Sequence, residues 1–309
     1  MTGSADDPSC RTDDGSVVAR AHNLVLRYGE HTALAASSFE IPARAVTAVI
    51  GPNGSGKSTV LNALAGLVDP ASGSLEVLGV SPHEARGRVS YVLQSVTVPL
   101  GTPLTVAETV GMGRYPSLGL WRRRGDKDRA RVQTAMERLQ ITGLARRHLT
   151  ELSGGQRQRV YVAQGVAQGH EVLLLDEPLT GLDLVSARTI DDIIHSERHR
   201  GCSVVLTTHD LDEARAADHV LLMNGRVVAS GAPSDVLTLH NLEAAYGLGA
   251  LHGSATTFVD DPAHAREPDL RPGYPQDREL EDGSGKSPAR EGHGEPGDDA
   301  AHDVEHSDR

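Results

Sequence analysis

Gly51, Pro52, Asn53, Gly54, Ser55, Gly56, Lys57 and Ser58 stand in a row between an aliphatic, β-branched stretch, Val46–Ile50, and a helix-like run over 59–65 that begins with Thr59. In that context the glycines let successive backbone N–H groups curl around a phosphate at a helix N-terminus, where the helix dipole also favours an anion. Lys57 is then placed to reach the β- and γ-phosphates of a nucleotide, and the Ser58 hydroxyl to ligate Mg²⁺. A second group lies downstream. The uninterrupted aliphatic run Val172–Leu175 ends in Asp176 and Glu177, which delivers two carboxylates to the C-terminal edge of a sheet. Asp176 suits Mg²⁺, directly or through water, and Glu177 suits the polarisation of an attacking water. A third group, Ser153, Gly154, Gly155 and Gln156 after Leu152, reads as a capped helix start with small residues that admit a close phosphate. One nucleotide needs only a single phosphate-binding helix start, and the plainer reading of this group is a Gly-containing N-cap.

The elements that must position these residues are legible in outline. From Val17 to about Leu251, short apolar runs alternate with helix-length segments, the pattern of an α/β domain with a mixed, largely parallel sheet. Strands are expected at 46–50, 75–78, 89–93, 172–175, 204–207 and 219–223. Between Gln94 and about Gln164 the strand pattern stops and helical periodicity takes over, in 126–139 and again after Ser153, so 95–165 reads as a helical subdomain inserted in the sheet domain. Residues 1–16 read as a disordered lead-in. Residues 252–309 read as an acidic disordered tail, since from Asp260 onward Pro, Gly, Asp and Glu dominate and too little is apolar to offset the entropy of ordering.

Charge and composition exclude several function classes. The formal net charge of the 309 residues is −12, and 260–309 hold 15 acids against 6 bases, so the remainder is close to neutral. Without clustered Lys and Arg beyond the short run 122–124, nucleic acid is not an expected partner. The apolar runs are strand-length, far short of the roughly 20 residues of a membrane helix. Met1 to Ser16 lack the basic and apolar regions of a secretory signal. Two cysteines, Cys10 and Cys202, are too few for a disulfide framework or paired metal motif and fit a reducing cytoplasm.

The ordered set Tyr28, Gly51 to Ser58, Gln94, Leu152 to Gln156, Asp176-Glu177, Gly181-Leu182-Asp183 and His209 resembles the ATPase domain of ABC transporters over about residues 17–251. The resemblance implies a P-loop fold of ABC type with a helical subdomain, ATP and Mg²⁺ as cofactors, and two copies paired head to tail. The P-loop of one copy and Ser153 to Gln156 of the other would then enclose each ATP. It further implies Tyr28 as the adenine-stacking aromatic, Gln94 as the hinge that senses Mg²⁺ and the permease, Asp183 as a cross-dimer contact and His209 as the γ-phosphate switch. The same residues also have plainer readings: Tyr28 a half-buried strand-end aromatic, Gln94 a polar strand terminus, His209 a satisfied loop histidine, Asp183 a helix N-cap.

The segment from Thr105 through Gly113-Arg114-Tyr115-Pro116 to Trp121, together with Leu179 to Asp183, looks most like the zinc, manganese or iron importers of this superfamily. Such a likeness implies a peripheral protein on the inner face of the cell membrane, working with a transmembrane permease and, indirectly, a substrate-binding protein. Met112, Tyr115, Leu118 and Trp121 are candidates for the groove that grips the permease, or else internal packing. The alternatives are an iron-siderophore or cobalamin importer and a non-transport ABC ATPase such as an iron-sulfur assembly factor. Four tail histidines, His264, His293, His302 and His306, have no regular ligand spacing and read as solvated sequence.

Overall fold

A computed structural model describes residues 17–94, 103–118 and 125–247. The lead-in, Trp121, Leu251 and the acidic tail with its histidines lie outside the described residues, as do 95–102 of the helical subdomain. The chain opens on a hairpin of two 12-residue strands, β1 (Val17–Tyr28) and β2 (His31–Pro42), paired antiparallel from Val17↔Pro42 to Tyr28↔His31. Neither strand stands out in the sequence, and the reason is a bulge. Ala19 and Ala21 are buried, but the register shifts around His22 and Asn23, and beyond it Leu24 and Leu26 are the buried residues. The inward set thus changes parity in mid-strand, which erases the period-two signal.

β3 (Val46–Ile50) leads into α1 (Lys57–Leu64), and β4 (Ser72–Val77) returns to β1, completing a three-stranded antiparallel sheet in the order β2-β1-β4. After α2 (Pro82–Ala85) and β5 (Val89–Val92) come α3 (Val106–Met112), α4 (Tyr115–Leu118), α5 (Asp126–Arg138) and α6 (Gly154–Gln168). The chain then re-enters the sheet through β6 (Val172–Leu175), α7 (Leu184–His199), β7 (Ser203–Thr208), α8 (Leu211–Ala216), β8 (His219–Met223) and β9 (Val227–Gly231), followed by α9 (Pro233–Val236) and α10 (Leu239–Tyr246). The second sheet runs β5-β6-β7-β3-β8-β9, parallel except for β9. The six expected strands are all present, with ends moved by one to three residues at 75–78, 89–93 and 204–207. The correction is the antiparallel hairpin and β9, whose Ala and Ser residues weaken the strand pattern.

Two cores follow from this layering. One packs α1, through Val60, Leu61 and Leu64, between the β1-β2-β4 sheet and residues such as Val49, Leu174 and Val205 of the parallel sheet. The other joins the opposite sheet face, through Ile50, Leu175 and Leu206, to the helical block with Val106, Val110, Met136, Val160 and Ala163. Among the described residues no helix is long and apolar enough to cross a membrane.

The helical block is fastened by two arginine contacts, one from the buried Arg114 and one from the half-buried Arg138. Arg114 donates to the carbonyls of Ala167 and Gln168 at the end of α6 and pairs with Asp128 at 3.0 Å. A guanidinium is well placed there, because the last carbonyls of a helix lack intrahelical donors and carry the negative end of the dipole. The second contact is Arg138 of α5 on Glu197 of α7 at 2.5 Å, with His170 Nε2 3.2 Å from the other carboxylate oxygen. The histidine lies within ion-pair reach but makes no aligned hydrogen bond among the described residues. Burial alone would raise the Glu197 carboxyl, yet His170 and then Arg138 outweigh it and hold it near 2, below the ordinary 4.5.

A carboxylate depressed in the folded state contributes stability that is present above its unfolded pKa and lost as pH falls through its folded one. The window here is 4.5 down to about 2, and the contribution at neutral pH is on the order of 3 kcal/mol. Glu197→Gln is therefore expected to lower unfolding free energy by roughly 3 kcal/mol at pH 7, with most of that difference gone by about pH 2.5. Urea unfolding followed by circular dichroism at both pH values checks this. A difference as large in acid as at neutrality would rule out the charge as its source.

Candidate functional site

Four parallel strands end in register at one edge. Val92 lies beside Leu175, Leu175 beside Leu206, and Ile50 beside Thr208. Leu93-Gln94, Asp176-Glu177, His209-Asp210 and the loop beginning at Gly51 therefore emerge together, at the edge where open α/β sheets bind ligands.

The Gly51 to Gly56 loop is shaped by what surrounds it. A Cβ on Gly51 would sit 2.1 Å from the Met223 carbonyl oxygen, so only glycine lets the loop turn against β8. The chain then folds back, with Ser55 N–H donating to Pro52 and Gly225 N–H donating to Ser55. Gly56 caps α1 in the left-handed region and supplies no side-chain acceptor. The first-turn N–H groups of α1 are thus without a side-chain cap. Lys57 is 6% exposed, and its Nζ donates to the Gly51 and Pro52 carbonyls at 2.8 and 3.2 Å. An ammonium is folded inside the ring of the loop. Ser58, Asn53 and Gly54 face solvent, Pro52 and Thr59 are half-buried, and the buried Ser55 hydroxyl has no hydrogen-bond partner among the described residues.

Asp176 is 5% exposed and is held from both neighbouring strands. Thr207 of β7 donates to its Oδ1 at 2.5 Å, and the Tyr91 hydroxyl of β5 donates to Oδ2 at 3.4 Å. Burial first, and then the Asp176 carboxylate, push the Tyr91 phenol well above its ordinary range, so it remains protonated. Glu177 adopts φ 44°, a left-handed conformation in a non-glycine residue. Its amide donates to Thr207 Oγ1 at 2.8 Å, and its carboxylate accepts from Gln94 Nε2 at 2.7 Å. Gln94 is thereby brought onto Glu177, which follows Asp176 at the exit of β6. Tyr91 and Thr207 were missed. Their signal exists only once three strands are aligned, when both fall on the same sheet face as Asp176.

Tyr28 ends β1 and is 48% exposed, its hydroxyl accepting from Asn62 of α1 at 3.2 Å, which puts the ring beside the phosphate-loop helix. His209 follows β7 directly and is half-buried. Ser153 caps α6, accepting from Gln156 N–H at 3.2 Å while the Gln156 side chain accepts from Ser153 N–H at 3.1 Å. Gly154 is exposed at the surface. A Cβ on Gly155 would fall 2.4 Å from Asp183 Oδ2, so this helix start is seated on the cap of α7. Asp183 accepts from both the amide and hydroxyl of Ser186, which hold its carboxyl below the ordinary range. Leu184 and Val185 beside it are exposed. The plain N-cap reading of Asp183 therefore holds within one chain, and it leaves the adjoining surface open. Of the groove candidates, Tyr115 is exposed and Met112 half-buried, whereas the Leu118 side chain and Trp121 lie outside the described residues.

Residues 34–180 match the model of the ABC transporter domain. The manganese transport system ATP-binding protein of Listeria monocytogenes is 35% identical over 225 residues, covering 72% of this chain and 94% of the relative. The zinc transport system ATP-binding protein of Treponema pallidum is 38% identical over 226 residues, covering 73% and 85%. The ferric enterobactin transport ATP-binding protein of Escherichia coli is 37% identical over 251 residues, covering 79% and 90%. Among solved structures, an inward-facing ABC transporter of metal-chelate type superposes with a TM-score of 0.66 at 30% identity, covering 75% of this chain and 89% of the other. A dimeric ATP-binding cassette holding ADP and Pi gives 0.61 at 25% identity, covering 70% and 98%.

Proposed function

The chain belongs to the ABC transporter family of ATP-binding subunits, and from that membership we propose that it hydrolyses ATP to drive a divalent metal cation, zinc or manganese, inward through a separate permease. The observation that carries the substrate reading is the identity to manganese and zinc transport ATP-binding proteins over 85% or more of their length. A second reading, uptake of a chelated iron, is favoured by the comparable match to the ferric enterobactin protein.

The residues fit the cofactors. The uncapped start of α1 and the ammonium of Lys57 suit the phosphates, and Ser58, Gln94 and Asp176 would offer Mg²⁺ the oxygen donors it takes. Bound Mg²⁺ would supply charge neutralisation on the β- and γ-phosphates. Glu177 then orients and polarises the attacking water, with Gln94 holding its carboxylate. His209 faces the γ-phosphate, and Tyr28 stacks on the adenine. Ser153 to Gln156 and Asp183 act across a head-to-tail dimer, which accounts for a second phosphate-binding helix start and for the exposed Leu184 and Val185 beside it. We assign this work to residues 17–251, with 1–16 as lead-in and 252–309 as tail, at the inner face of the membrane beside the permease and, through it, a substrate-binding protein.

Deleting the gene is expected to impair growth under metal chelation, with rescue by zinc or manganese and loss of uptake of the corresponding radioisotope. Normal uptake of both ions together with loss of uptake of an iron chelate would transfer the assignment to the second reading. Purification of the tagged chain from membranes, with identification of the retained permease, supplies an independent check.

A further inference from the structure

Thr207 occupies a position that the catalytic reading does not use. It lies on β7, fully buried, next to the central strand β3, and its hydroxyl has two partners on the neighbouring strand's exit. It donates to Asp176 Oδ1 at 2.5 Å and accepts from the Glu177 amide at 2.8 Å. One oxygen atom therefore fixes the rotamer of the first carboxylate and the backbone of the second. That backbone needs holding, because Glu177 sits at φ 44°, where a side-chain-bearing residue is unfavourable without outside support. The partners are arranged by strand parity. Tyr91 lies beside Leu174, and Val205 also lies beside Leu174, so Tyr91, Asp176 and Thr207 project from one sheet face on three adjacent strands. Tyr91 closes the arrangement from the other side, donating to Asp176 Oδ2 at 3.4 Å.

We infer that Thr207 is a positioning residue for ATP hydrolysis: its hydroxyl aims Asp176 towards Mg²⁺ and sets Glu177 at the attacking water, with Tyr91 as its counterpart on the opposite side. The inference rests on the proposed roles of Asp176 and Glu177. A hydroxyl in this place acts as outer-sphere partners of metal ligands do, by orienting a carboxylate whose own chemistry is unchanged. Removing it also takes the acceptor from the half-buried Glu177 N–H.

The test uses the purified full-length chain and its Thr207→Val, Thr207→Ser, Tyr91→Phe and Glu177→Gln variants. Valine keeps the branched shape that a strand favours and removes only the hydroxyl. Thr207→Val is expected to lower kcat by about 10- to 100-fold, to leave the KM for ATP within about threefold, and to raise the Mg²⁺ concentration for half-maximal rate about tenfold. Thr207→Ser should return all three values to within about threefold of wild type, and Tyr91→Phe should shift them in the same direction as valine but less. A second readout is nucleotide binding, followed with a fluorescent trinitrophenyl-ATP. In EDTA, Thr207→Val should bind like wild type, whereas the gain in affinity on adding Mg²⁺ should shrink. Wild-type kcat and an undiminished Mg²⁺ gain in Thr207→Val would overturn the inference. So would a serine variant as impaired as the valine one. If valine prevents folding, judged by its melting curve, the serine and phenylalanine variants carry the decision, and wild-type Mg²⁺ dependence in Tyr91→Phe then counts against. Full turnover in Glu177→Gln would instead remove the underlying site reading, an outcome separable from failure of the threonine alone.

Discussion

Lys57→Ala is expected to reduce ATP turnover by at least about 10²-fold and to abolish tight nucleotide binding. The reason is visible in how the ammonium is stored. Lys57 is almost wholly buried, with Nζ donating to the carbonyls of Gly51 and Pro52. It therefore waits inside the loop, with its desolvation already met by fixed dipoles, and can exchange two carbonyl partners for phosphate oxygens over a short path. Backbone N–H groups at the start of α1 supply partial charges only, and alanine leaves the β- and γ-phosphates without a full compensating charge. The Gly51 carbonyl also loses the ammonium as donor, while Pro52 keeps the Ser55 N–H, so a modest drop in melting temperature should accompany the loss of activity. Nucleotide titration alongside a phosphate-release assay checks both parts. Near wild-type turnover would remove the phosphate-loop assignment altogether.

Glu177→Gln is expected to keep ATP binding and to slow hydrolysis by about 10²- to 10⁴-fold, the usual worth of one positioned general base. The substitution is a clean one in this structure. Glutamine has the same shape, keeps an oxygen to accept from Gln94 Nε2, and leaves untouched the amide that donates to Thr207. What it loses is the charge that polarises water. With hydrolysis blocked and binding intact, the ATP-bound head-to-tail dimer should accumulate. Size-exclusion chromatography with light scattering, with and without ATP and Mg²⁺, reads this directly. A variant that is saturated with ATP yet strictly monomeric would count against the shared site.

How much of this could be read without coordinates depended on whether the signal was local. The phosphate loop is a contiguous strand, turn and helix, so its boundaries follow from one stretch of residues. β6 is an uninterrupted apolar run buried on both faces, β8 is one from Val220 onward, and the limits of both match the reading residue for residue. The first hairpin was not legible, because a bulge at His22 and Asn23 shifts the register of β1 and small Ala and Ser residues blur β2. Tyr91 and Thr207 were not legible either, since they become neighbours of Asp176 only through the pairing of strands more than 80 and 30 residues apart in sequence. Arg114 shows a subtler case. Its motif served as a likeness to metal importers, and the structure gives the side chain an internal task, closing the carboxyl end of the helix that begins at Ser153.

The left-handed backbone at Glu177 bears on how this position can change over evolutionary time. At φ 44°, glycine and asparagine would sit more comfortably than glutamate, by an amount on the order of 1 kcal/mol. The residue that best suits the backbone is thus not the residue that suits the water. Random drift that rewards abundance alone should enrich Gly and Asn at this site, and selection for transport must remove them in every generation. Position 177 is therefore one where a library sorted for soluble yield and the same library sorted for growth under metal limitation should return opposite winners.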